Sequence, residues 1–163
     1  MILIINICKE PLHFYEFVKP VADILSNAGK DALIVHYKDL SSDDLKRADK
    51  IIICGTSLKD NQFLKDISKF TWLKSHRKPV LGICGGAHII GLSLGGKLKK
   101  KKEIGLKEIT IKKKFLDVEG KKEVYHLHQF YVLPETFKKE NFYATLFHPE
   151  VRNKEIIEEF LKV

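Results

Sequence analysis

Along the first half of the chain, short unbroken apolar runs alternate with segments whose apolar residues recur at helical spacing. The runs at residues 2–7, 32–37, 50–54 and 80–83 are short and rich in Ile, Val and Leu, which marks them as strands. Between them, Phe14, Phe17, Val18, Val21, Ile24, Leu25 and Ala28 share one helical face. Gly29 supplies the stop, and Pro20 is either the start of that helix or a kink in it. Ser42 is placed to cap a short helix over residues 43–48. Phe63, Leu64, Ile67, Phe70 and Leu73 line one face of a helix over residues 61–74. Strands of this kind alternating with helices predict an α/β fold, with a mostly parallel central sheet covered by helices.

The second half changes period. Residues 106–111 and 123–128 alternate in strand fashion, and Glu119-Gly120 reads as the turn between them. This predicts a small antiparallel edge sheet or hairpin. Residues 142–147 form another strand. A closing helix over 153–161 turns Ile156, Ile157, Phe160 and Leu161 inward. No linker or repeat interrupts the pattern, so one domain over residues 1–163 is expected.

Composition narrows the class. At 163 residues and 44% hydrophobic content the chain can build a proper core, and no apolar run is long enough to span a bilayer. The first residues, MILIINICKE, are too short an apolar run for a signal peptide and lack a basic leader, so a cytoplasmic protein is expected. Cys8, Cys54 and Cys84 are odd in number and lack metal-type spacing, which predicts reduced thiols. The net charge of +8 comes mostly from lysines clustered at residues 97–102, 112–114, 121 and 122. A solvated lysine-rich surface accounts for them, with an acidic docking partner as the alternative. Aromatic residues are not interleaved there as a single-strand binder needs, which argues against nucleic acid.

The chemistry-bearing stretch is residues 79–91, PVLGICGGAHIIG. It reads as a buried strand, a sharp turn crowded by Gly82, Gly85 and Gly86, and a helix. Cys84 sits at the apex, at a helix N-terminus where the macrodipole favours negative charge. The arrangement is the thiol counterpart of a nucleophile elbow. A small buried cysteine before a packed helix would give the same pattern, so both readings stand. Ligands of such sheets bind beyond the carboxyl ends of the strands, which places the Gly55-Thr56-Ser57 loop beside Cys84. His148 also follows a predicted strand, with Glu150 two residues on, so a Cys–His–Glu arrangement for acyl transfer is available.

GICGGAHIIG, HLHQFYVLPETF and YATLFHPEV, in this order, resemble the class I glutamine amidotransferases, and most nearly glutaminase domains of the GMP synthetase type. The resemblance implies that Cys84 attacks the γ-carbonyl of glutamine or another γ-glutamyl compound. A γ-glutamyl thioester forms, ammonia leaves, and water then hydrolyses the thioester. It also implies that His148 shuttles the proton and Glu150 orients it. Gly85, with Gly55 or Thr56, would supply the oxyanion donors. His126 would help line the substrate pocket. No cofactor is implied, and a separate synthetase subunit would receive the ammonia.

The chain departs from the family pattern at three places. Gly55-Thr56-Ser57 stands where a Gly-Gly-Pro type turn is usual, Gly85 where leucine is common, and His88 where glutamine helps hold substrate. His88 is read either as a packed helix residue or as part of an altered pocket. On the residues alone, His126 and His128 share a strand face, where structural hydrogen bonds are the commoner role. No metal is expected, because His13, His36 and His76 lie elsewhere and a zinc site needs further ligands. The alternatives to a glutaminase are a hydrolase of another γ-glutamyl compound and a non-catalytic regulatory member of the fold.

Overall fold

The apolar runs form the parallel strands β1 (Ile2–Asn6), β2 (Ala32–His36), β3 (Lys50–Ile53) and β4 (Val80–Ile83). The computed structural model describes residues 1–163. Two later strands complete the sheet. β8 (Phe142–Thr145) pairs in parallel with β4, and β7 (Thr136–Lys139) runs antiparallel at the edge. The spatial order is β2-β1-β3-β4-β8-β7. This is the α/β sheet the sequence predicts, joined by helical crossovers because parallel strands cannot be linked by tight turns.

Strand side chains alternate between two buried faces. Ile2, Ile4, Ile52 and Leu81 pack against Val21 and Leu25 of α2 (Lys19–Asn27) and Ile157 and Phe160 of α6 (Glu155–Phe160). Leu3, Ile5, Ile51 and Ile53 pack on the other face against Phe63, Phe70, Ile89 and Ile90.

Local chemistry moves several boundaries from their expected places. The first helical pattern is split into α1 (Phe14–Phe17) and α2 at Val18. Pro20 lies in the first turn of α2, where its missing N–H costs nothing. The cap of α3 (Ser42–Arg47) is Ser41, not Ser42. Ser41 Oγ accepts from the Asp44 N–H at 3.1 Å, and the Asp44 carboxylate accepts from the Ser41 N–H at 3.0 Å. The helix expected over 61–74 is a short α4 (Gln62–Lys65) followed by a 3₁₀ segment over Ile67–Lys74.

The hairpin is longer than predicted. β5 (Lys99–Phe115) and β6 (Val118–Tyr131) pair antiparallel as a separate two-stranded sheet. Their turn is Leu116-Asp117, both with positive φ, rather than Glu119-Gly120, which lies inside β6. A two-residue hairpin turn of this kind matches the strand twist. The lysines at 99–102 and 112–114 are therefore strand residues. Ile111, Phe115, Val118 and Val124 anchor the hairpin against Phe147 and Ile156 of the main body. No helix is long and apolar enough to cross a membrane.

Candidate active site

β1, β3 and β4 end together, which brings Cys8, Gly55 and Cys84 to one edge of the sheet. The turn from β4 into α5 (Gly85–Ser93) is strained at its apex. Cys84 has φ 48° and ψ −97°, a region side chains rarely occupy. Two contacts hold it there. The Cys84 N–H donates to the Thr145 carbonyl at 2.8 Å, and a Cβ on Gly86 would press into the Ile53 carbonyl. Helix α5 thus rests directly on the backbone of β3. The Cys84 thiol is turned to the Leu127 carbonyl on β6, at 3.5 Å.

His148 follows β8 and is fixed by its N–H, which donates to the Tyr125 carbonyl at 2.8 Å. Its Nδ1 donates to Glu150 Oε1 at 2.7 Å, and both side chains are fully buried. Nε2 has no hydrogen-bond partner. Gly55 is the spacer between this ring and the thiol. A Cβ on it would lie 2.6 Å from His148 Cε1 and 3.4 Å from Cys84 Cβ. Burial alone would depress the imidazole, but the charges of Glu150 and Cys84 outweigh it and hold His148 well above the ordinary range. Burial pushes Cys8 up to about 11 and Cys54 well above its usual value.

A narrow cleft opens in front of Cys84, lined by Thr56, Gly85, His88, Leu127, His128 and Gln129 among others. The centre of a water molecule can occupy about 20 Å³ of it. The Gly85 N–H belongs to the first turn of α5 and has no acceptor within the helix. Thr56 is buried in the cleft wall, its hydroxyl donating to Asp60 Oδ2 at 2.6 Å. The same carboxylate oxygen accepts from the Lys9 N–H at 2.7 Å, so Asp60 ties the loop after β3 to the loop after β1. His88 is 4% exposed with no partner for Nδ1. Burial, then the neighbouring charges of His128 and His148, bring it down to about 3, so it is neutral at physiological pH.

Of the residues expected from the sequence, Cys84, Gly85, Thr56 and His88 line the cleft, while His148 and Glu150 stand behind it, with Gly55 between the His148 ring and the thiol. His126 lies apart from the lining and touches neither group. That ring is buried and turned to Glu135 Oε2 at 2.8 Å, whereas its strand neighbour His128 does line the cleft. Glu103 stands beside both rings. Burial alone would raise its carboxyl, but Lys107, His126 and Lys101 hold it at about 2. Burial lowers His128 below the usual histidine value. Asp60, Glu103 and Glu135 escape a reading of the sequence. No motif marks Asp60, and the two glutamates reach the histidines only through the hairpin fold.

Comparison with known proteins bears on the family and the fold. The family model for glutamine amidotransferase class-I matches residues 12–163. Among solved structures, a protein from Thermoplasma acidophilum described as a putative GMP synthase subunit superposes with a TM-score of 0.83 at 21% identity, covering 99% of this chain and 92% of that one. A glutamine amidotransferase from Thermotoga maritima gives 0.65 at 17% identity, covering 99% and 80%. One from Methylobacillus flagellatus gives 0.61 at 16% identity, covering 96% and 73%. Comparison with curated protein sequences gave no match.

Proposed function

Because this chain belongs to the class I glutamine amidotransferase family, we propose that it is a cysteine hydrolase releasing ammonia from glutamine through a Cys84–His148–Glu150 triad. The observation that carries the reading is the shared space at Gly55. The thiol-bearing carbon and the His148 ring both abut this glycine, with Nε2 unpartnered and Nδ1 held by Glu150.

The steps follow from these positions. His148 Nε2 takes the Cys84 proton, and Sγ attacks the amide carbon of the side chain. The oxyanion draws on the Gly85 N–H and on a backbone N–H of the Gly55-Thr56 loop. As the intermediate collapses, the C–N bond breaks and His148 returns its proton to the departing nitrogen, which leaves as ammonia. Water then gives a proton to His148 and attacks the thioester. Collapse of the second intermediate frees glutamate and the thiol. Glu150 keeps the ring oriented and stabilises its charged form throughout.

A separate synthetase subunit is the proposed destination of the ammonia. The structural neighbour described as a putative GMP synthase subunit supports that arrangement. The lysine-bearing outer face of the hairpin is the proposed docking surface. Three free cysteines fit the reducing cytoplasm expected from the sequence.

A second reading rests on His88. A neutral buried imidazole cannot present the paired donor and acceptor of an amide, which favours a γ-glutamyl compound other than glutamine. A glutamine-mimicking electrophile followed by intact-mass and peptide mapping separates the readings. One adduct on Cys84, blocked by excess glutamine, supports the glutaminase. No adduct, with Cys84 still labelled by a plain thiol reagent, moves the search to other γ-glutamyl compounds.

A further inference from the structure

We infer that Glu103, His126 and His128 form a binding site for one divalent transition-metal ion, with zinc the best match to the donor set. The hairpin register builds it. Glu103 lies directly across from His128, and Gly105 across from His126, so the donors stack on the covered face of the hairpin. Glu103, His126 and His128 can each offer one ligand atom within 4.8 Å of the others. Glu103 Oε2 is 3.0 Å from His128 Nε2 and 3.8 Å from His126 Nε2. Glu135 Oε2, 2.8 Å from the same His126 nitrogen, lies outside this cluster and must release the ring for the ion to bind. Tetrahedral zinc with bonds of about 2.0–2.1 Å sets its ligand atoms roughly 3.3 Å apart, within the span of these separations.

The hydrogen bonding points to a missing cation. His128 Nδ1 donates to the Lys101 carbonyl at 3.0 Å, so the ring proton sits there and Nε2 turns a lone pair to a carboxylate oxygen. Both His128 Nε2 and Glu103 Oε2 are buried without a hydrogen-bond partner. Two acceptors facing each other this closely repel unless a positive charge lies between them. An imidazole whose far nitrogen is anchored by a backbone carbonyl is also the usual outer support of a metal ligand. The lysines around Glu103 do not fill the gap. Lys107 pairs with Oε1, and Lys101 Nζ lies 3.4 Å from Oε2 on a side chain that is about half exposed and free to withdraw.

Three protein donors leave the fourth position to water, and the ion joins β5 to β6. Because β6 also carries Leu127, it fixes the wall that faces the Cys84 thiol. The inference does not depend on the glutaminase reading.

The test uses the full chain, stripped with a chelator, loaded with Zn²⁺, dialysed and analysed for bound metal, with Co²⁺ as an optical probe. The expected result is one zinc per chain, a tetrahedral cobalt spectrum, and a melting temperature raised by zinc. Glu103→Gln and His128→Asn should abolish all three. Glu135→Gln, on a side chain only partly covered, should fold normally and still retain zinc. Failure of the wild type to retain zinc, or retention by Glu103→Gln equal to that of the wild type, would overturn the site. Nitrogen NMR showing His128 doubly protonated in zinc-free and zinc-treated protein alike would leave an imidazolium–carboxylate pair in its place, and would equally overturn it.

Discussion

The six-stranded sheet and the hairpin differ in what their strands bury. In β1, β3 and β4 nearly every side chain is covered, and both faces are aliphatic. In β5 and β6 one face is exposed and dense in lysine, while the covered face carries Ile111, Val124, His126 and His128. The sheet holds the nucleophile by packing and by one backbone hydrogen bond, from Cys84 to Thr145. The hairpin places polar groups beside it, and each of those needs a partner. Rigidity in this molecule is therefore mainly apolar on one side of the cleft and electrostatic on the other.

Breaking the sheet's side of the cleft should have the largest effect. Cys84→Ser is expected to lower glutamine hydrolysis by about 10⁴-fold or more while leaving circular dichroism and melting unchanged. Retained turnover would remove Cys84 from the mechanism. His148→Ala should follow at about 10³-fold or more, with Glu150→Gln costing less because packing still orients the ring. Among stability changes, Ile52→Ala empties a fully buried position between the two helical layers and should cost about 2–5 kcal/mol in denaturant unfolding.

His88 sharpens the contrast from the cleft itself. Its folded-state value of about 3 lies below the unfolded value of about 6.5. The unfolded chain therefore binds the extra proton first. The stability that His88 contributes is complete above pH 6.5 and is lost as pH falls toward 3. His88→Gln should flatten this part of the unfolding midpoint against pH, and should lower KM for glutamine if the imidazole is what displaces the amide contact. The smallest effect is expected on the hairpin's outer face. Leu106 is 56% exposed, and Leu106→Ser should change stability by no more than about 0.5 kcal/mol. A larger loss would mean that this face is covered in solution.

The two regions also differ in how far the sequence reveals them. The four apolar runs of the sheet are legible because unbroken aliphatic stretches have few other places to go. Cys84, His148 and Glu150 are legible because each follows such a run. The hairpin is half legible. Its alternation is diluted by lysines on the exposed face, so both strands read short, and Glu119-Gly120 looks a better turn than Leu116-Asp117. β7 gives no signal at all. Glu103 and Glu135 stay hidden for a related reason. Nothing local distinguishes a glutamate that pairs with a histidine from one in solvent until the register brings Glu103 opposite His128.

The seat of α5 on β3 bears on how such a protein can change over generations. Gly86 lets the helix touch the strand's backbone with no side chain between them. A surface made of main chain is the same whatever the sequence around it, so drift in neighbouring residues cannot easily shift the thiol. The elbow is a fixed reference point, and variation in the cleft falls to side chains away from that seat, such as Gln129 on the facing strand. That division separates the part of the fold that cannot vary without moving the thiol from the part that can.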